Sequence, residues 1–201
     1  MNKAIALLVA ALAVSGCAER VLDSPERVAA ARHVSDEAPY VALVTMVNVS
    51  NDKGAHSAIL VNGSQVALYD PAGTFKLDQV PERNDVLYGI TPRVQEAYEW
   101  YHARDTTYVV EQKVPVSRAL ADRVIARMEA EGPSAKLHCG IHAGNVLGDF
   151  SEFGAVQPSY YPSDLMEAFA VLPNVATRRV YQNDVGQNIQ FAKPDLTVPG
   201  G

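Results

Sequence analysis

The chain has only two cysteines in 201 residues, Cys17 and Cys139. If either is otherwise occupied, the other has no intramolecular partner. There is no basic run, and the formal net charge is −6. That removes the electrostatic case for a nucleic-acid partner. No apolar stretch, residues 4–14 included, is long enough to span a bilayer as a helix, and no internal repeat is present. What remains is a body with 48% hydrophobic and 20% charged residues. That composition suits one folded domain of ordinary size rather than a disordered chain.

The N-terminus explains one cysteine. Met1-Asn2-Lys3 is a short basic start, and residues 4–14 are apolar but too short for a mature membrane helix. Val14-Ser15-Gly16-Cys17 follows. This resembles the lipobox of a bacterial lipoprotein, which implies a signal peptide over residues 1–16 and a lipid (palmitate and related acyl chains) on Cys17. Ala18 and Glu19 come next. By resemblance to known sorting rules, the lack of Asp after the cysteine implies the outer membrane, with the domain in the periplasm. Residues 17–38 read as the lipidated cysteine and a polar tether, and residues 184–201 as a poorly ordered Pro/Gly-rich tail.

Cys139 is then a free thiol in an oxidising compartment, where a lone cysteine is buried or used. It sits in Leu137-His138-Cys139-Gly140-Ile141-His142-Ala143-Gly144-Asn145-Val146-Leu147. Small and apolar residues there predict a short buried helix with Cys139 in its first turn. A helix start offers unpaired N–H groups and a partial positive charge, which favour the thiolate.

Residues 40–49 read as a covered central strand, and residues 55–70 as a hairpin around Asn62-Gly63. A two-residue loop pairs His56 with Tyr69; a three-residue loop pairs it with Asp70; a bend at the strand end also brings Asp70 round. Residues 86–90 read as a short strand and residues 92–104 as a helix capped by Thr91. Its aromatic face includes Tyr98 and Tyr101, and His102 reads as a surface residue. Residues 106–116 read as a strand. Ser117 caps a helix that ends at Gly132-Pro133, and Ser163 caps another to about residue 171. A last strand falls over residues 177–182. Phe150, Phe153, Tyr160 and Tyr161 are pocket walls or plain packing. The expected class is α+β, an antiparallel sheet with helices packed on it.

Nucleophilic cysteine chemistry needs a thiol, a base and a group that orients the base. Cys139, His56 and Asp70 supply these three types. Each also has an ordinary structural reading: a buried cysteine packs as a small hydrophobe, a strand histidine is satisfied locally, and Asp before Pro-Ala-Gly forms a turn. With His on a strand, a polar residue on the next and Cys opening a later helix, the chain resembles the circularly permuted NlpC/P60 branch of the papain-like superfamily. The lecithin retinol acyltransferase-like proteins belong to that branch. The resemblance covers roughly residues 40–172, within a domain expected over residues 39–183, and is carried by His56 in Ala55-His56-Ser57, Asp70 in Tyr69-Asp70-Pro71 and Cys139 in His138-Cys139-Gly140. It implies a cysteine hydrolase or transferase without a cofactor, acting on peptidoglycan peptides first and on other acyl groups second. Members often carry His where this chain has Asp70. A zinc site built from His138, Cys139, His142 and His56 is a rival chemistry, but Cys-x-x-His with no matched pair is a weak signal. A non-catalytic lipoprotein binding envelope components or a protein is the other alternative.

Overall fold

The computed structural model describes residues 21–184. The expected signal peptide, the lipidation site Cys17 and all but the first residue of the expected tail lie outside the described residues. A seven-stranded sheet organises the domain in the order β4-β5-β3-β2-β1-β6-β7, every neighbouring pair antiparallel. In chain order the elements are α1 (Pro25–Ala30), β1 (Tyr40–Asn48), β2 (Gly54–Asn62), β3 (Val66–Tyr69), β4 (Glu82–Arg83) and β5 (Val86–Tyr88). There follow α2 (Pro92–His102), β6 (Thr107–Pro115), α3 (Arg118–Glu131), α4 (Cys139–Gly148), a 3₁₀ turn (Ser151–Phe153), α5 (Pro162–Ala170) and β7 (Ala176–Val180). This is the α+β architecture expected.

The central strand β1 is buried from Tyr40 to Val47, so both faces of the sheet are covered. Alternation along the strands makes two cores. Val41, Leu43, Ile59, Val61 and Tyr69 face α3, α4 and α5 with Val124, Val146, Leu147, Leu165 and Phe169. Ala42, Val44, Met46, Leu60 and Leu68 face α2 with Val94, Ala97 and Tyr98. Phe150 and Phe153 are buried packing, whereas Tyr160 and Tyr161 stand in solvent.

Several local readings change. Residues 21–38 are not a tether. Leu22 bridges Arg83, the Val21 carbonyl accepts the Asn84 N–H, and the His33 carbonyl accepts the Val66 N–H. Ser24 caps α1, its Oγ accepting the Arg27 N–H. The pairs of Val21 and Leu22 cover the edge of β4, which would otherwise expose an unpaired ladder. Helix α5 begins one residue earlier than its hydroxyl signal because Pro162 supplies the helical φ at the first position. Ser163 is therefore inside the helix, and its Oγ accepts the Gly54 N–H at 2.8 Å.

Candidate active site

Strand β3 is short, and its ladder with β2 runs only from Asn62↔Val66 to Ile59↔Tyr69. The loop is thus three residues, but the pairing ends before His56. Neither register considered from the sequence forms. Continuing the ladder places Asp70 opposite Ala58, two residues from His56 and on the same face, so the contact is diagonal. His56 Nε2 lies 2.6 Å from Asp70 Oδ1.

The early end of β3 also leaves residues 54–58 of β2 without a strand on that side. The start of α4 fills the gap. Cys139 is buried there, beside the His56 ring and the backbone N–H groups of Ser57 and Gly140, all of which favour its thiolate. Asp70 already holds Nε2, so the other ring nitrogen, Nδ1, is the one left for sulfur. The structure thus brings together all three residues expected from the sequence.

Electrostatics favour an ion pair. Burial pushes the Cys139 thiol up, but the His56 hydrogen bond and charge, with the two backbone N–H groups, leave it below its ordinary value. Burial opposes charge on His56 as well. Hydrogen bonds to Asp70 and Cys139, and their charges, nevertheless raise it to about 10. Burial likewise opposes ionisation of Asp70, and the His56 and Tyr98 contacts overcome it and hold the carboxyl below its usual range. All three shifts run toward the charged forms, thiolate, imidazolium and carboxylate.

Four positions not singled out as site residues in the sequence build the surroundings. Tyr98 donates its hydroxyl to Asp70 Oδ1 at 2.8 Å, the oxygen that also holds His56. The His102 ring is not at the surface. It lies nearly parallel to His56, with centroids 6.1 Å apart, and its Nδ1 donates to the Tyr98 carbonyl at 3.0 Å. Burial lowers its pKa, which favours a neutral ring beside the charged one. Gly73 is required by space, since a Cβ there would fall 1.8 Å from Asp70 Oδ2. Asp85 ties two loops together. Its carbonyl accepts the Asp70 N–H, and its Oδ2 accepts the N–H groups of Ala72 and Ser134, all at 2.9 Å. The only sequence signal for these was the aromatic face of α2, and periodicity does not say what such a face meets.

Glycines set the depth of α4. A Cβ on Gly140 would sit 2.4 Å from the Ser159 carbonyl oxygen, and one on Gly144 2.5 Å from Pro158 Cα. His138 and His142 have other contacts. The His138 ring meets Tyr160 edge-on at 5.4 Å, and His142 Nδ1 lies 3.2 Å from Glu131 Oε1 on α3. Among the described residues no cluster of three or more His, Cys, Asp or Glu side chains is placed to hold a metal ion.

No protein-family model, no curated protein and no solved structure matches the chain. The chemistry therefore rests on the geometry of these residues.

Proposed function

We propose that this chain is an outer-membrane lipoprotein, anchored through Cys17 and facing the periplasm, whose domain is a cysteine hydrolase or transferase. The permuted papain-like, NlpC/P60-related architecture is part of the proposal. It is supported by the chain order of base, orienting residue and nucleophile on strand, strand end and helix start. The observation that carries the reading is the continuous contact from the Cys139 sulfur through the His56 ring to Asp70 Oδ1 at 2.6 Å.

His56 takes the Cys139 proton, and Asp70 fixes the ring's orientation and stabilises its positive charge, as the third member of a triad does. The thiolate attacks an amide carbonyl, whose π electrons move to oxygen. The Cys139 N–H, in the unpaired first turn of α4, is the donor the fold offers to that oxyanion. Collapse expels the amine, which takes the proton from His56, and leaves a thioester on Cys139. Water then gives a proton to His56 and attacks the thioester, releasing a carboxylic acid and the thiolate; another acceptor in place of water makes the enzyme a transferase. Ser57 and Gly140 N–H groups, directed at sulfur, stabilise the anion that leaves in this second step.

Amide bonds of peptidoglycan stem peptides are the first substrate class. The test is incubation of stem peptides with purified domain and mass analysis of the products. Wild type is expected to release an amine and an acid at one bond. Cys139→Ala is expected to release none while keeping its melting temperature, and His56→Ala to lose about 10²- to 10⁴-fold in rate, as for loss of an acid–base group. Equal cleavage by wild type and Cys139→Ala would remove the thiol from the mechanism, and no cleavage by either would leave the non-catalytic binding reading.

A further inference from the structure

The chain enters the fold at the same end of the sheet as the thiol. The Val21 carbonyl accepts the Asn84 N–H at 2.9 Å, at the β4–β5 turn. The next residue of that turn, Asp85, holds the loops that bear Asp70 and precede Cys139. Four residue steps separate Cys17 from Val21. At about 3.3–3.6 Å per residue they reach at most roughly 14 Å. An acyl chain on Cys17 therefore keeps this end of the domain close to the bilayer surface.

The distribution of exposed apolar side chains agrees. Among the described residues, eight large apolar side chains stand exposed. Six are at this end: Leu22, Val49, Leu137, Tyr160, Tyr161 and Tyr181. Strand register places them. Val49 follows β1 beyond the Met46↔His56 pair, and Tyr181 follows Val180, which pairs with Val109. Tyr160 and Tyr161 precede α5, whose Ser163 holds Gly54. Only Val34 and Val171 lie toward the far end. Leu137 is 84% exposed and has a left-handed φ of 70°, a backbone that a bulky residue rarely adopts.

These six come from five separate segments of the chain, so a plane suits them better than a peptide or a small ligand. Tyrosine is favoured where an apolar layer meets water. The exposed charges at this end have both signs, Asp52, Asp105, Lys53 and Lys136 among them, so no anionic headgroup is needed. We propose that the Cys139 end of the sheet docks on the lipid–water interface of a neutral bilayer, so that the thiol acts on substrates presented at the membrane face. The proposal rests on the reading of Cys17 as the lipidated residue.

The test uses the full chain, purified with its N-terminal modification, on phosphatidylcholine vesicles containing a dansyl lipid. Trp100→Phe removes the single tryptophan. Tyr160→Trp or Tyr161→Trp then places a donor at the catalytic end. Val171→Trp places one at the opposite end of α5, whose nine residues rise about 14 Å. Energy transfer to the dansyl lipid is expected to be at least twofold more efficient from position 160 or 161 than from 171. Equal transfer, or stronger transfer from 171, overturns the docking. The mass of the N-terminal peptide is read on the same sample. A chain without lipid on Cys17 overturns the lipoprotein reading and the docking with it, whereas a lipidated chain with equal transfer from both ends overturns the docking alone.

Discussion

The α4 face and the α2 face of the sheet hold their shares of the site by different means. On the α4 face, position comes from backbone contact. Gly140 and Gly144 bring the helix against Ser159 and Pro158, and Gly54 lies against Pro162 and Ser163. No side chain intervenes, and nothing there can give way without moving the helix that carries Cys139. On the α2 face, position comes from polar side chains. His56, Asp70, Tyr98 and His102 are held by hydrogen bonds of 2.6 to 3.0 Å. The difference teaches where tolerance lies. The nucleophile is located by packing, which is nearly all-or-none, and the base by a chain of bonds that can be weakened one at a time.

Substitutions can break that comparison. The largest effect on chemistry belongs to Asp70→Asn, which removes the anion that holds His56 charged. Its alkylation rate at pH 6.5 is expected to fall about 100-fold, in line with a hydrogen bond to a charged group of about 1.5–3 kcal/mol. Its unfolding midpoint should change little by comparison. Gly140→Ala should do the reverse. Its Cβ meets a carbonyl oxygen at 2.4 Å, and overpacking of this kind costs about 1–3 kcal/mol. Urea unfolding would measure that cost, and a neutral result would show that the 156–161 loop yields. Tyr98→Phe leaves Asp70 ionised but less firmly held, and about a fivefold loss of alkylation rate is expected, equivalent to roughly 1 kcal/mol. The smallest effect falls to His102→Leu, within about threefold, because His102 stacks on the base without bonding to it. A larger loss there would give the second ring a direct part in the chemistry.

The pH dependence follows from the same shifts. The thiolate is lost on the acid side, below the ordinary thiol range, as Cys139 takes up a proton. On the alkaline side His56 stops being an acid as pH rises through about 10. Turnover is therefore expected to rise as Cys139 ionises below the ordinary thiol range and to fall toward 10. A fall centred near the ordinary histidine value of 6.5 would mean that His56 is not paired with sulfur.

The three site residues were legible in the sequence because their types are restricted by chemistry and their order by topology. A lone thiol at a predicted helix start, a strand histidine and an aspartate after the hairpin do not depend on register. The register itself was not legible. Asn62-Gly63 signals a turn but not its length, and the ladder stops at Tyr69 where the chain turns through Pro71 and Gly73. Nor was the docking of residues 21–38. Its contacts combine backbone bonds to β4, the β4–β5 turn and the start of β3 with side-chain bonds such as those of Asp23 to Glu82 N–H and of Arg32 to the Ser64 carbonyl, and polar residues that make such bonds have the same composition as a tether. His102 was misplaced because its neighbours Tyr98 and Tyr101 mark a buried face, while what lies across that face is set by β2 and β3.

The most direct test of the account is the rate of Cys139 alkylation against pH, on protein beginning after residue 17, for wild type and His56→Ala. The account predicts fast reaction in wild type well below the free-thiol pKa of about 8.5, and in the variant a rate that rises only as pH approaches that value. A wild-type thiol that stays inert until the protein unfolds, or two profiles that superimpose, would contradict it.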